Sequence, residues 1–366
     1  MTSKLSPEEV RSLYKTTTLN GKTYSYILSE PKGTPIDTIF LIHGFPDISY
    51  GWRYQIPFLT SLGLRVVAPD MMGYGGTAAP AEPEFYTFKR AADDIAALAK
   101  EIGVHHIILG GHDWGGAVVY RVAMYYPELI SAVFSVCTPF LVPQSEYKPL
   151  SRLPNFKYQI QLAGPELEAK IVGAEKIRQF LSGFYGGRTP EGEILMGLAG
   201  PELEAKIVGA EKIRQFLSGF YGGRTPEGEI LMGVEKGFYL EKMERVGESP
   251  LLTKGEMDFY VERFLNNGMH GPTNWYRTGE INFKEDQELN FDPETFKFKM
   301  PFLFIGGTRD VALPPAMALG MEKHFRSLTK GEVNTSHWAL WEKPDEVNAY
   351  IKEFLFGAGG WKKASL

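Results

Sequence analysis

Short apolar runs alternate with stretches of helical periodicity along most of the chain, and this alternation constrains the fold more than any other feature. Each run has the four or five residues of a buried strand. Helices are predicted over Phe88–Ile102 and Trp114–Tyr125. The predicted strands are Tyr24–Leu28, Thr38–Ile42, Arg65–Ala68, His106–Leu109, Ala132–Val136 and Pro301–Ile305. The pattern indicates an α/β fold, in which helices flank a mostly parallel sheet.

The long segment between the last two predicted strands carries no strand pattern. It shows helical periodicity instead. One apolar stripe in it consists of Ile177, Phe180, Leu181 and Phe184. We therefore expect a helical cap over residues 143–283, inserted between two halves of the core at residues 1–142 and 284–366.

A block inside the expected cap is present twice. Residues 162–197 recur without a single change as residues 198–233. Repeat folds need at least three copies, and their copies normally differ. We interpret the pair as a tandem duplication and expect one copy to be dispensable, because a long surface insertion adds little loop-closure entropy.

Composition excludes several classes of protein. The 39 basic and 44 acidic residues give a net charge of −5 without a basic stripe, so we expect no nucleic-acid partner. The single cysteine, Cys137, can form neither an internal disulfide nor a cysteine zinc site, and we predict no metal and no cofactor. No apolar run reaches the roughly 18 residues of a membrane span, and the N-terminal segment lacks the apolar core of a signal peptide. We expect a soluble, cytoplasmic monomer or weak homo-oligomer.

A strand, a glycine-flanked turn and a helix follow one another at Asp113. The apolar run that begins at His106 leads into Gly111-His112-Asp113-Trp114-Gly115, which opens the predicted helix Trp114–Tyr125. An aspartate before a helix is often only an N-cap. In this setting, however, the segment is similar to the nucleophile elbow of α/β-hydrolases, with aspartate in the place of the usual serine.

Two further groups follow in the chain order nucleophile, acid, histidine. Asp310 comes shortly after the strand Pro301–Ile305, and His337 lies 27 residues later. Each alone has a plainer interpretation, Asp310 as a turn residue and His337 as a core histidine. Together and in this order, they predict a catalytic triad of Asp113, Asp310 and His337.

The segment after the strand Thr38–Ile42 predicts an oxyanion hole, formed by the backbone N–H groups of Phe45 and Trp114. An aspartate is already ionised at neutral pH, so Asp113 would attack a carbon directly and form an alkyl ester. His337 would then activate a water against that ester. Leaving groups that suit such a displacement are a halide or the oxygen of an epoxide.

At this point the sequence resembles the soluble epoxide hydrolases of the α/β-hydrolase fold, especially fungal forms and the hydrolase domain of the vertebrate enzyme. The likeness extends over nearly the whole chain. It rests on His43-Gly-Phe-Pro46, Trp52-Arg-Tyr-Gln-Ile-Pro57, Gly111-His-Asp-Trp-Gly-Gly116, Asn274-Trp-Tyr-Arg277 and Ser336-His-Trp338. The resemblance implies conversion of an apolar epoxide and water to a vicinal diol.

The resemblance also implies further site residues. Tyr158 and Tyr276 of the cap match the tyrosines that protonate the epoxide oxygen in this family. Trp52, Trp114 and Trp338 would line an apolar substrate pocket, although aromatic residues near such a site are often simple core.

Two other functions stay open at this stage. A haloalkane or haloacetate dehalogenase would share the fold, the aspartate and the histidine, but it needs no paired tyrosines. A ligand receptor of the same fold would have lost part of the triad, which is complete here. A serine esterase is disfavoured because the elbow holds no serine.

Overall fold

A computed structural model describes residues 3–149, 157–164, 199–233, 237–238, 242, 245–357 and 361 of the chain. The residues group into two compact units, the first made of residues 1–149 and 277–366 and the second of residues 150–276. The sequence analysis placed these boundaries at residues 143 and 283.

The first unit is built on one sheet of eight strands. In chain order these are β1 (Tyr14–Leu19), β2 (Lys22–Ser29), β3 (Asp37–Ile42), β4 (Leu64–Pro69), β5 (Ile107–His112), β6 (Ile130–Val136), β9 (Phe302–Gly307) and β10 (Leu328–Val333). Two short strands of the second unit are β7 (Met232–Gly233) and β8 (Gly237–Phe238).

The strands lie in the order β1-β2-β4-β3-β5-β6-β9-β10 across the sheet. The pairs β1–β2 and β2–β4 are antiparallel, and every other neighbouring pair is parallel. The inserted segment leaves the sheet after β6 and returns before β9, which is the next strand in the sheet. The predicted α/β-hydrolase fold is confirmed.

Helices alternate with the strands along the chain. The described helices are α1 (Pro7–Leu13), α2 (Gln55–Ser61), α3 (Phe88–Ile102), α4 (Trp114–Tyr125), α5 (Lys157–Ala163), α6 (Ala199–Phe220), α7 (Lys254–Leu265), α8 (His270–Asn274), α9 (Gly279–Asp286), α10 (Ala339–Glu342) and α11 (Pro344–Phe356). Both predicted helices, α3 and α4, have the predicted bounds. No described helix is both long and apolar enough to cross a membrane.

The strands that the sequence analysis missed are the two edges of the sheet. β1 and β10 each have a single neighbour, and several of their residues are exposed. Edge strands such as Lys15-Thr16-Thr17-Thr18 need no apolar run, so a search for apolar runs does not find them. β5 also extends beyond its predicted end at Leu109, through Gly110 and Gly111 to His112. The two glycines end the apolar run in the sequence, but in the strand they are required by close packing, since a Cβ atom at either position would collide with its neighbours.

The expectation that residues 143–283 contain no strand is wrong. β7 and β8 pair antiparallel, and Arg224 forms an isolated bridge with Ile230. Pairings of one or two residues are too short to leave an alternating pattern in the sequence.

The second copy of the duplicated block forms α6 and packs against α7. Ile213, Phe216 and Leu217 of its apolar stripe are buried. Arg214 pairs with Asp258 of α7 at 2.6 Å. The matching stripe of the first copy, at residues 177–184, lies outside the described residues.

Candidate active site

Four strands of the parallel part of the sheet end at one edge, because parallel strands share a direction. Register pairs Ile42 with Gly111, and Val333 with Gly307, close to these ends. The residues that follow β3, β5, β9 and β10 are therefore brought together there. They are the predicted site residues Phe45, Asp113, Asp310 and His337.

Asp113 sits on a strained turn between β5 and α4. Its backbone has φ 54° and ψ −126°, a conformation that non-glycine residues rarely adopt. Its side chain makes no capping hydrogen bond to α4, so the N-cap interpretation does not apply. A Cβ atom on Gly115 would lie 2.0 Å from the carbonyl oxygen of Ile42, and one on Gly111 would lie 2.3 Å from the carbonyl oxygen of Gly115. The flanking glycines thus allow β3, β5 and α4 to approach closely at the turn.

The His337 imidazole lies between two carboxylates. Its Nε2 is 3.2 Å from Asp113 Oδ2, and its Nδ1 is 2.7 Å from Asp310 Oδ2. The side chain of Asp310 is fully buried, whereas those of Asp113 and His337 keep 18% and 14% of their surface exposed. The backbone N–H groups of Ala312 and Leu313 both donate to Asp310 Oδ1 at 2.9 Å. The acid is therefore held rigidly, while the other two groups face an accessible space.

The charges of this cluster shift all three pKa values. Burial opposes ionisation of both carboxyl groups, but the charge and hydrogen bonds of His337 outweigh it. They lower the pKa of Asp113, and they lower that of Asp310 to about 2. Burial likewise opposes a charged imidazole, but Asp310 and Asp113 raise the pKa of His337 to about 10. At neutral pH the cluster is an imidazolium between two carboxylates.

One predicted oxyanion donor, the Phe45 N–H, lies against the carboxylate of Asp113, the predicted nucleophile. The Phe45 N–H donates to Asp113 Oδ1 at 2.7 Å, and Trp114 is the first residue of α4. A Cβ atom on Gly44 would lie 2.3 Å from Asp113 Oδ1 and 2.6 Å from the Trp114 nitrogen. Gly44 therefore allows the loop after β3 to approach Asp113 and the start of α4. The sequence analysis missed this role, although a glycine that follows a strand and a histidine is a signal for it.

His43 holds the loop that carries Phe45. Its Nε2 accepts a hydrogen bond from the Met71 N–H at 2.9 Å, so its Nδ1 is the donor to the Gly44 carbonyl at 2.9 Å. Burial lowers the pKa of His43, which keeps the ring neutral. The backbone donors at Asp113 thus rest on a buried, neutral histidine.

His112 and Cys137 fix the backbone of His337 from inside the core. His112 Nε2 and Cys137 Sγ donate to the His337 carbonyl at 2.8 and 3.3 Å. Burial lowers the pKa of His112 to about 4 and raises that of Cys137 well above its ordinary value. Among the described residues, this trio is the one group whose possible metal-ligand atoms lie within 4.8 Å of one another. Since His337 is engaged with both carboxylates, we interpret the trio as a hydrogen-bonded support.

Three tryptophans were predicted to line a substrate pocket. Trp52 is completely buried, with its ring edge-on to Phe134 at 6.1 Å. Trp338 is also buried and stacks on Trp341, with ring centroids 4.5 Å apart. Trp114 is half-buried. The contacts of Trp52 are those of a packing residue. Trp338 also lies edge-on to His337, with ring centroids 5.5 Å apart. The assignment of these tryptophans to substrate binding stays a prediction.

The two predicted cap tyrosines belong to the second unit. Tyr158 lies on α5 and Tyr276 follows α8, and these two helices are in contact. Both side chains are buried, and Gln159 Nε2 donates to the Tyr158 hydroxyl at 3.0 Å. The structure thus brings the two tyrosine-bearing segments together within that unit.

Comparisons with known proteins add to this geometry. Residues 37–176 match the family model described as the alpha/beta hydrolase fold. The chain is similar to an epoxide hydrolase of Neurospora crassa, at 36% identity over 96% of this chain and 97% of the relative. It is also similar to the mouse bifunctional epoxide hydrolase 2, at 31% identity over 86% of this chain but only 51% of the mouse protein.

Solved structures give the same result. An epoxide hydrolase of Vigna radiata matches with a TM-score of 0.69 at 23% identity, covering 93% of this chain and 97% of the other, which shows the fold. Epoxide hydrolase A of Mycobacterium thermoresistibile matches with a TM-score of 0.66 at 27% identity, covering 94% and 98%.

The charged cluster predicts how stability depends on pH. The folded protein holds the His337 proton up to a pKa of about 10, whereas an unfolded histidine releases it near 6.5. The stabilisation is therefore fully present below about pH 6.5 and is lost as the pH rises toward 10. We expect the urea midpoint of the wild type to fall between pH 6.5 and 9.5 more steeply than that of His337→Gln. If the urea midpoints of the two proteins fell equally with pH, a protonated His337 between the two carboxylates would be contradicted.

Proposed function

The chain belongs to the epoxide hydrolases of the α/β-hydrolase fold, and from this premise we propose that Asp113 opens an apolar epoxide and that His337-activated water releases the diol. The single observation that carries this assignment of roles is the contact of the two Asp113 oxygens with different partners. Oδ1 meets the Phe45 N–H at 2.7 Å, and Oδ2 meets His337 Nε2 at 3.2 Å.

The first half-reaction uses the carboxylate. The lowered pKa of Asp113 keeps it ionised through the neutral range. Oδ2 attacks an epoxide carbon, an Oδ2–C bond forms, and the ring C–O bond breaks. The ring oxygen leaves as an alkoxide and takes up a proton. Oδ1 becomes the ester carbonyl and stays against the Phe45 N–H.

Ester formation prepares the base for the second half-reaction. The charge and the hydrogen bond of Asp113 are two of the factors that raise the pKa of His337. A neutral ester carries no such charge, so the pKa of His337 falls and its proton is released. That proton balances the one taken up by the alkoxide. His337 then holds a free Nε2, still oriented by Asp310 at Nδ1.

The second half-reaction cleaves the ester. His337 takes a proton from water, and the hydroxide adds to Cγ of Asp113. Negative charge develops on Oδ1, where the N–H groups of Phe45 and Trp114 stabilise it. The Cγ–Oδ2 bond breaks, and Oδ2 takes a proton from His337, so that the diol leaves neutral. The water oxygen remains in the carboxyl group of Asp113, whose own proton passes to His337 and restores the imidazolium and the carboxylate.

Tyr158 and Tyr276 are the proposed acids of ring opening. A tyrosine hydroxyl with an ordinary pKa near 10 is protonated at neutral pH and donates to an alkoxide. The family resemblance of their segments, their burial and the contact of α5 with α8 support the pairing. The proposed substrate is an apolar small-molecule epoxide of unspecified size, with water as the second reactant.

Trapping the ester tests the division of labour between Asp113 and His337. We expect His337→Gln to form one ester per protein and then to stop, because the base serves only the second half-reaction. Intact mass after incubation with styrene oxide should rise by one substrate molecule in His337→Gln and not at all in Asp113→Ala. The mechanism would be contradicted if His337→Gln turned over no substrate and its intact mass nevertheless stayed unchanged.

The acid role of the tyrosines has its own test. Tyr158→Phe or Tyr276→Phe alone should slow ring opening by about 10- to 100-fold, since general-acid catalysis contributes about 10²–10⁴ and a partner tyrosine remains. Rates of ester formation in rapid-quench experiments measure this step. Tyr260→Phe, a buried tyrosine of the same unit, is the matched control. A double variant with full activity would refute the role.

A further inference from the structure

One carboxylate joins the two loops that carry the acid and the base of the triad. Glu342, the last residue of α10, accepts at Oε1 from the Ser336 N–H at 3.1 Å and from the Ser336 hydroxyl. Its Oε2 accepts from Arg309 Nη2 at 3.0 Å. Ser336 directly precedes His337, and Arg309 directly precedes Asp310. Glu342 thus binds the residue directly before His337 and the residue directly before Asp310, the two partners of the triad hydrogen bond.

Arg309 extends the same connection. Its Nε donates to the Asn334 side-chain oxygen at 3.0 Å, and its Nη2 donates to the Asn334 carbonyl at 3.3 Å. Its backbone N–H donates to the Thr335 carbonyl at 2.9 Å. The loop after β9 and the loop after β10 are therefore tied at several points.

This arrangement is suited to positioning rather than to folding stability. The Arg309 side chain is 60% exposed, and exposed ion pairs contribute little to the free energy of unfolding. The bonds to Ser336, in contrast, use a carboxylate that is only 17% exposed and are charge-assisted. A base must be held within about 0.5 Å of its productive position, so small displacements of the His337 loop affect the rate strongly.

We propose that Glu342 is a positioning residue for the second half-reaction, holding the Ser336–His337 segment and, through Arg309, the Asp310 loop in the register that water activation requires. This inference rests on the proposed function, because it needs the two half-reactions to be separate. Asp113 attacks without a base, so ester formation does not depend on Glu342. Ester hydrolysis does depend on it, because His337 must reach both Asp310 and the water.

The kinetic consequence differs from that of a damaged fold. When only ester hydrolysis slows, the ester accumulates, and kcat and KM fall together while kcat/KM stays nearly constant. A loss of folded protein lowers the apparent kcat at unchanged KM and does not raise the ester fraction above that of the wild type. We expect Glu342→Gln to lower kcat about tenfold, with kcat/KM within about twofold of the wild type. The same variant should hold a larger steady-state fraction of ester, which intact mass of quenched enzyme measures.

The chain offers a matched control four residues away. Glu346 pairs with Lys343 at 2.9 Å and contacts neither triad loop through that bond. Glu346→Gln removes the same charge, so its kcat, KM and ester fraction should remain those of the wild type. Ser336→Ala is the second variant should Glu342→Gln fail to fold. It removes the hydroxyl that donates to Glu342 and accepts from the Trp338 N–H at 3.4 Å, and it should show the same pattern in weaker form.

Three outcomes decide the question. Ester accumulation in Glu342→Gln, with kcat/KM retained, supports the positioning role. Kinetics of Glu342→Gln equal to those of Glu346→Gln, or kcat and kcat/KM that fall equally without ester, overturn it. His337→Gln in the same assay distinguishes a failure of this inference from a failure of the proposed function. If His337→Gln traps ester and Glu342→Gln does not, only this inference fails. If neither traps ester, the proposed function fails.

Discussion

The imidazolium of His337 between the carboxylates of Asp113 and Asp310 is the interaction on which the rest of the site depends. Two negative charges at one sheet edge, that of Asp310 buried and that of Asp113 partly buried, would repel one another and lose solvation. The positive charge of the imidazolium offsets both costs, which is why the pKa of Asp310 falls to about 2 while that of His337 rises to about 10. The same coupling connects structure to chemistry. In the proposed mechanism, alkylation of Asp113 removes one of the two charges, and His337 is released to act as a base only after the ester exists.

The backbone is arranged to make this cluster possible. Parallel strands deliver its members to one edge, and Asp113 lies on a positive-φ turn that exposes its side chain. Glycines at 44, 111 and 115 permit approaches that a Cβ would block. Two buried, neutral histidines stabilise the loops of the site by hydrogen bonds to backbone carbonyls. His43 binds the carbonyl of Gly44, next to Phe45, and His112 binds the carbonyl of His337. The strain at Asp113 is thus maintained by close packing around it.

Sequence reasoning reached the parts of the molecule whose signals are local. The core strands, the bounds of α3 and α4, and the order Asp113, Asp310, His337 follow from periodicity and glycine spacing. It missed β1 and β10, because edge strands with polar residues leave no apolar run. It also missed Gly44 and Glu342, since their roles depend on which loops the sheet order places side by side. Ser336 and Arg309 are 27 residues apart and meet on one carboxylate only after folding. The roles of the cap tyrosines rest on family resemblance, because hydroxyl chemistry leaves no pattern that distinguishes them from packing tyrosines.

The central claim is that turnover passes through an ester on Asp113, and an isotope experiment tests it most directly. Enzyme in excess over styrene oxide is allowed a single turnover in heavy-oxygen water, and the diol and the peptide containing Asp113 are then analysed by mass spectrometry. The account predicts one heavy oxygen in the Asp113 carboxylate and an unlabelled first diol, because the diol leaves with Oδ2. A heavy oxygen in the first diol, with none in Asp113, would mean that water attacks the epoxide directly and would contradict the account.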